Sequence, residues 1–177
     1  MADRAGALTI VEDCTRFTAP IAAMTVAAFA RAYGTGQAEA DLIARLRAEG
    51  DVVVERAAFA GEELVGHILF SRVRDNARSG RIAGLAPVSV RVGRQKSGIG
   101  TALIRSGLDA CRVRGIGAVI VLGDPAYYGR FGFSATLGGK LACAYSGPHF
   151  QALELVSSAL DGVMRVDYAP AFAASGV

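Results

Sequence analysis

Two spacings of apolar residues alternate along this chain. Apolar residues three or four apart predict helices, and alternating or unbroken apolar runs predict strands. Leu8-Thr9-Ile10-Val11 reads as a first strand. From Pro20 to about Ala32 the chain is rich in alanine, with Ile21, Met24, Ala28 and Phe29 on one stripe. That pattern predicts a helix, and proline suits its first turn. A turn at Gly34-Thr35-Gly36 separates it from a second predicted helix, about Ala38 to Ala48, with Leu42, Ile43 and Leu46 inward and a stop at Gly50. The period then shortens. Val52–Ala60 and Leu64–Val73 flank Gly61-Glu62-Glu63 and read as an antiparallel hairpin. Ile82–Val92 is a further strand, followed by a glycine-rich turn and a helix from Ile99 to Arg114. Ile99, Ala102, Leu103, Leu108 and Ala110 give that helix its apolar stripe, and Gly115 and Gly117 close it. Ala118–Leu122 is apolar throughout, as expected of a strand covered on both faces. The stretch 82–122 is therefore a parallel crossover, right-handed by rule.

Beyond it the pattern predicts a helical turn near Pro125–Arg130 and strands near Lys140–Ala144, Phe150–Val156 and Val163–Tyr168, while residues 1–6 and 173–177 read as loose ends. The fold class is α/β (α+β), a mixed sheet with helices on both sides. No repeat or linker divides the chain, so residues 1–177 are expected to form one domain with an ordered core at about 8–172.

Composition adds limits. Hydrophobic residues make up 52% and charged residues 20%, the balance of a globular chain. The apolar run from Pro20 to Ala30 is too short to span a bilayer and follows Glu12 and Asp13 rather than a basic segment. No membrane association and a cytoplasmic location are expected. The three cysteines, Cys14, Cys111 and Cys143, are far apart and form no Cys-x-x-Cys pair. They predict buried thiols, with no metal site and no disulfide framework. The net charge of +3 suits a polyanionic small molecule at least as well as a nucleic acid, and no nucleic-acid partner is expected. Arg72, Arg74, Arg78 and Arg81 cluster, but Asp75, Asn76, Ser79 and Gly80 among them point to a solvated hairpin loop.

The chemistry concentrates at Gln95-Lys96-Ser97-Gly98-Ile99-Gly100. Glycines at a strand-to-helix turn let backbone N–H groups converge and a ligand approach closely. The first N–H groups of a helix lack internal partners, and the helix dipole favours an anion there. Together these make a phosphate or pyrophosphate cradle. Lys96 adds a positive side chain, Arg91 and Arg94 lie nearby, and Ser97 is placed to cap the helix. The turn is not a Walker A loop, because Gln95 rather than glycine precedes Lys96-Ser97. Nor is it a dinucleotide fingerprint, because Leu103 stands where the third glycine is needed. A purely structural turn could use the same two glycines.

Gln95-x-x-Gly98-x-Gly100, after an apolar strand and opening a long helix, resembles the signature of the GNAT superfamily of acyl-CoA-dependent N-acetyltransferases. Tyr128-Gly129-Arg130-Phe131-Gly132-Phe133 looks like that family's Tyr-x-x-x-Gly-Phe segment. The stretch 123–133, with Phe150-Gln151-Ala152-Leu153-Glu154-Leu155 downstream, is similar to a bacterial subgroup of N-acetyltransferases that mostly lack an assigned substrate. The resemblance covers about residues 8–172. It implies that the strand before the turn splays from its parallel neighbour and pairs through Val88, Ser89 and Val90 with the pantetheine arm of acetyl-CoA. It implies that Gln95, Lys96, Ser97, Gly98, Ile99, Gly100 and Thr101 wrap the pyrophosphate. A backbone N–H freed by the splay would hold the thioester oxygen. Tyr128 falls at the position of the family's general acid, a phenol able to protonate the departing thiolate. A core tyrosine is the plainer reading of Tyr128, and packing the plainer reading of Tyr127.

The chain departs from the family pattern in three places. Val92 stands at the usual proline position, with Gly93 able to make the turn instead. Asp124 stands closer to Tyr128 than the family's usual Asn, and reads either as a helix cap or as a contact to the cofactor arm. The strand Ile82–Val92 holds no Asp or Glu to serve as base. His67, among apolar neighbours, reads as a core histidine or a base. Glu154, on the face of Phe150, Ala152 and Val156, reads as a base or as an edge salt-bridge residue. His149 follows Pro148 in a surface turn.

The expected activity is direct transfer of acetyl from acetyl-CoA to a primary amine of a small molecule or protein, in a ternary complex. A non-catalytic acyl-CoA sensor and an acyltransferase with a longer donor share the same pattern. The paired helices at about 20–48, the loop at 72–81 and the C-terminal strands are expected to shape the acceptor pocket. Homodimers are common among such folds.

Overall fold

The computed structural model describes residues 7–77 and 79–176. A seven-stranded sheet runs in the order β1-β2-β3-β4-β5-β6, with β7 paired to β3 beyond β2. The strands are β1 Leu8–Val11, β2 Val52–Ala60, β3 Glu63–Asp75, β4 Ile82–Val90, β5 Ala118–Leu122, β6 Phe150–Glu154 and β7 Val166–Tyr168. Every pairing is antiparallel except β4 with β5. The unbroken apolar character of β5 follows from this: it lies inside the sheet, covered on two faces.

Helices α1 Thr18–Tyr33 and α2 Gln37–Ala48 cover one face, and α3 Ile99–Val113 covers the other. The stripe predicted for α1 is present, with Ile21, Met24 and Ala28 buried. On α3, Ile99, Leu103, Ile104, Leu108 and Cys111 are buried against Ile68, Phe70, Val119 and Val121 of the sheet. On the opposite face Leu42, Ile43 and Leu46 of α2 pack with Ala57 and Leu69. A third apolar cluster, with Ile120, Leu141, Phe150 and Val166, holds the C-terminal strands together. Among the described residues no helix is long and apolar enough to cross a membrane.

Three expectations about elements are corrected. The segment 140–144 is not a strand. A single turn, α5 Ala135–Gly138, capped by the Ser134 hydroxyl on Leu137 N (3.1 Å), leads into loop, and 140–144 contributes only an isolated bridge, Ala142 to Arg165. The C-terminal residues are not loose up to 176: α6 Pro170–Ser175 buries Ala171 and Phe172 against the α1–α2 side. Cys143 is half-buried rather than buried, whereas Cys14 and Cys111 are buried, their thiols pushed up to about 12 mainly by burial. The predicted loose end at 1–6, Val177 and Arg78 lie outside the described residues.

Candidate active site

The parallel ladder between β4 and β5 starts at Ile82↔Ala118 and ends at Leu85↔Val121. Beyond it the two strands part. β4 continues to Val90 with β3 as its partner, and a bulge places both Ala86 and Pro87 opposite Leu69. β5 instead stays with β6: Leu122 pairs with Phe150, Gly123 N donates to His149 O (3.0 Å), and the buried Gln151 side chain donates to Gly123 O (3.0 Å). Residues 86–90 therefore lack a strand partner on their β5 side, and their backbone groups on that edge are available to a ligand.

Two cavities meet at this gap. One, of about 710 Å³, lies over the glycine turn. The other, of about 480 Å³, runs through the gap toward α1, α2 and α6. Val88, Val90, Gln95, Asp124 and Tyr127 line both.

The turn is built by backbone conformations that suit few residues. Gly93 (φ +86°) and Gly98 (φ +88°) are left-handed, where glycine pays no Cβ penalty, and Lys96 (φ +61°) shares that region. Gly98 is the residue at which α3 begins, and no side chain caps the helix. The first amides of α3 are thus left unpaired beside the cavity that Lys96, Gly98, Gly100 and Thr101 line. Gln95 Nε2 reaches Val90 O (3.4 Å) and ties the turn to the end of β4.

Several predicted residues take other positions. Ser97 does not cap α3; its hydroxyl donates back to Arg94 O, bracing the turn. Ile99 is buried in the core beneath the turn. Arg94 and Arg91 are drawn to Glu63 on β3 (2.7 and 3.3 Å) and line neither cavity. The positive side chains at the cradle are Lys96 and Arg130. Ser89 lines the gap, but its hydroxyl is buried against Thr25 of α1 (3.0 Å), fastening the helix to the strand.

After β5 the chain enters a one-turn helix, α4 Pro125–Tyr128. Asp124 caps it, accepting from Ala126 N (2.9 Å), with Pro125 in the first turn. Consecutive residues on such a turn project roughly 100° apart. Tyr128 is buried, its ring edge-on to Phe133 (5.8 Å) and pressed against Gly123. A Cβ at Gly123 would stand 2.3 Å from that ring, so only glycine leaves it room. Burial, then the neighbouring Tyr127 and Tyr33 hydroxyls, raise the Tyr128 phenol above its ordinary range. It is a protonated donor throughout the neutral range.

Tyr127 packs against the core and also reaches the turn. Its hydroxyl lies 2.9 Å from where a Gly100 side chain would begin, so the ring bridges from α4 to the glycine turn. Arg130 stacks over it (4.4 Å to the ring centre) and donates from Nε to Tyr127 O (3.1 Å). The packing expected of Tyr127 is present, against Tyr128 and Phe131, and the ring also lines both cavities; Arg130, which lines the cavity over the turn, was not foreseen.

The base candidates separate. His67 is fully buried, and lines neither cavity. Its Nε2 bonds Glu55 Oε1 (2.7 Å), and Glu55 also receives two nitrogens of Arg47. Burial lowers the imidazole below its ordinary range, against the pull of Glu55. Glu154 lines neither cavity and accepts from Leu160 N (2.9 Å), closing the loop after β6. His149 is exposed, as expected. Among the described residues the carboxylates lining the gap are Asp124 and Glu39, and Glu39 was not foreseen. The loop at 72–81 lies away from the gap, its turn held by Asn76 Oδ1 accepting from Met164 N and Arg165 N (2.8 and 2.9 Å). Helices α1 and α2 line the cavity that runs through the gap, with Tyr168 and Phe172 from the C-terminal part.

The sequence profile of the Acetyltransferase (GNAT) family matches residues 16–133. The uncharacterized N-acetyltransferase YhbS of Escherichia coli K12 is 34% identical over 151 residues, 84% of this chain and 90% of that protein. The crystal structure of Escherichia coli YhbS in complex with CoA superposes with a TM-score of 0.82 at 30% identity, over 98% of this chain and 96% of that one. A GNAT acetyltransferase from Brucella melitensis in complex with acetyl-CoA gives 0.79 at 33% identity, over 93% and 97%.

Proposed function

This chain belongs to the acetyltransferase (GNAT) family, and on that premise we propose that it binds acetyl-CoA across the β4–β5 gap and transfers the acetyl group directly to a primary amine. The observation that carries the reading is the splay itself. A strand edge without a partner at 86–90 opens beside uncapped helix amides at one end and Tyr128 at the other. The CoA-bound relatives support acetyl-CoA as the donor.

In this reading Lys96, Arg130 and the first amides of α3 hold the pyrophosphate, joined by the rest of the turn from Gln95 to Thr101. The pantetheine arm pairs with the backbone of Val88, Ser89 and Val90, as an added strand would. A free β4 amide N–H donates to the thioester oxygen as negative charge builds on it. The amine enters through the cavity under α1 and α2. Its nitrogen lone pair attacks the thioester carbon; the N–C bond forms, the C–S bond breaks, and sulfur leaves with the electron pair. Tyr128 gives sulfur its proton and is re-protonated from solvent, while the amine's surplus proton goes to water in the open cavity. Among the described residues lining the gap there is no Cys, Lys or His to carry an acetyl group, which favours direct transfer with both substrates bound together.

The reading is tested by following CoA thiol release from acetyl-CoA across a panel of amines. Amine-dependent release is expected. Saturable CoA binding with no release for any amine would leave a non-catalytic acyl-CoA sensor in its place, and faster release from longer acyl-CoAs would change the donor.

A further inference from the structure

The far side of the gap carries a second chemistry, and the following rests on the acetyl-transfer reading. On that side the cavity is walled by aromatic rings from two directions. Phe29 and Tyr33 of α1 form a pair (5.8 Å between ring centres). Tyr145, Tyr168 and Phe172 form a run, with centres 5.4 and 4.6 Å apart. Among the described residues that line the cavity there is no Lys, Arg or His. The charged residues are Asp124, already engaged as the cap of α4, and Glu39. Glu39 Oε2 is buried and has no hydrogen-bond partner. An unpartnered carboxylate oxygen facing low-dielectric surroundings is costly unless a ligand supplies the counter-charge.

We infer that the acceptor is a cationic primary amine carried on a flat apolar body, the chemistry of an arylalkylamine, and that Glu39 receives its ammonium. The rings match such a ligand in two ways. They bury its apolar surface, and their faces attract a cation. An anionic amine such as an amino acid finds no basic side chain in the cavity and meets two carboxylates. An aminosugar would bring several hydroxyls into a lining that is mostly apolar and aromatic, with few polar groups to pair them. Glu39 is a positioning and specificity residue: it brings the nitrogen into the gap, and the proton is lost to water before attack.

Equilibrium binding to the CoA-loaded protein tests this without requiring turnover. 2-Phenylethylamine is expected to bind more tightly than glutamate, glucosamine or spermidine. In Glu39→Gln its affinity falls at least ~10-fold, about the worth of one charge-assisted hydrogen bond, while the affinity of uncharged 2-phenylethanol changes little. CoA affinity of the variant stays near wild type and its thermal stability does not fall, since Glu39 does not line the cavity over the glycine turn and its Oε2 has no partner to lose. Equal binding of 2-phenylethylamine to both proteins, or tighter binding of any of the three hydrophilic amines, overturns the inference. Failure of CoA to bind at all would overturn the acetyl-transfer reading instead, and binding of the amines to the free protein would still decide this one.

Discussion

The rings of Tyr127 and Tyr128 stand edge-to-face, 5.1 Å apart and 84° to each other, and they divide the gap between them. Tyr127 leans over the glycine turn beside Arg130, and Tyr128 fills the apex where β4 leaves β5. In the proposed reading these two neighbouring phenols on one helical turn face the cofactor half and the reacting half of a single site.

Gly123 sets the position of the second ring. In Gly123→Ala the new methyl group would overlap the Tyr128 ring, which Phe133 and Tyr127 hold from the other sides. Displacing a proton donor by about 1 Å costs on the order of 10²-fold in rate. Thiol release should fall by about that factor with CoA affinity nearly unchanged, measured by steady-state kinetics and by calorimetry on the same variant. An unchanged rate would show that the ring's position is immaterial.

At the cradle, Lys96→Ala and Arg130→Ala should each weaken CoA binding about 10-fold, the value of one charge-assisted hydrogen bond of ~1.5 kcal/mol. Both losses should shrink in high salt, because Lys96 and Arg130 are exposed. Arg94→Ala should change CoA affinity little, since Arg94 is engaged with Glu63. Titration of CoA at two salt concentrations distinguishes these.

Thr25 and Ser89 form a buried hydroxyl pair between α1 and the cofactor strand. Thr25→Val leaves the Ser89 hydroxyl without a partner and should cost ~1–3 kcal/mol. The double variant Thr25→Val, Ser89→Ala removes both polar groups and should recover much of that loss. Denaturant unfolding of wild type, Thr25→Val and the double variant gives the comparison; a double variant no more stable than Thr25→Val would contradict it.

The network Arg47–Glu55–His67 makes stability depend on pH. Burial keeps the folded imidazole below its unfolded value of 6.5, so below that pH the unfolded chain binds a proton the folded chain refuses. Stability is therefore lost as pH falls through 6.5, by up to ~1.4 kcal/mol per pH unit for this one proton. Burial alone would raise the Glu55 carboxyl, but its bonds to His67 and Arg47 outweigh that and hold it below its unfolded 4.5. It too stabilises above its unfolded value and loses that contribution as pH falls further. Unfolding free energy should decline from pH 7 to 4; a flat or rising profile would refute the assignment.

Much of this was legible in the chain itself. The switch from helical to strand period marked the hairpin and the crossover, and Gly98 and Gly100 marked the turn, Gly98 because its left-handed conformation suits few other residues and Gly100 because Tyr127 leaves little room for a side chain. What escaped notice depends on neighbours far along the chain. Leu141 and Ala142 look like strand residues, yet the chain there is committed by the Ser134 cap and by packing of Leu141 with Phe150, and only the single bridge from Ala142 to Arg165 forms. Ser97 has the chemistry of a cap, but the left-handed residues around it turn its hydroxyl back to Arg94. Glu39 looks like any acidic residue in a first helical turn; its significance comes from rings 100 residues and more away, Tyr145, Tyr168 and Phe172, that share its cavity.

Acetyl transfer by a proton-donating Tyr128 is tested most directly by comparing wild type with Tyr128→Phe in two measurements, CoA binding by calorimetry and amine-dependent thiol release. The phenylalanine ring keeps the packing against Phe133 and Gly123 and removes only the hydroxyl. CoA affinity should stay near wild type while kcat falls by ~10²–10⁴. A variant that releases thiol at the wild-type rate would contradict the role given to Tyr128.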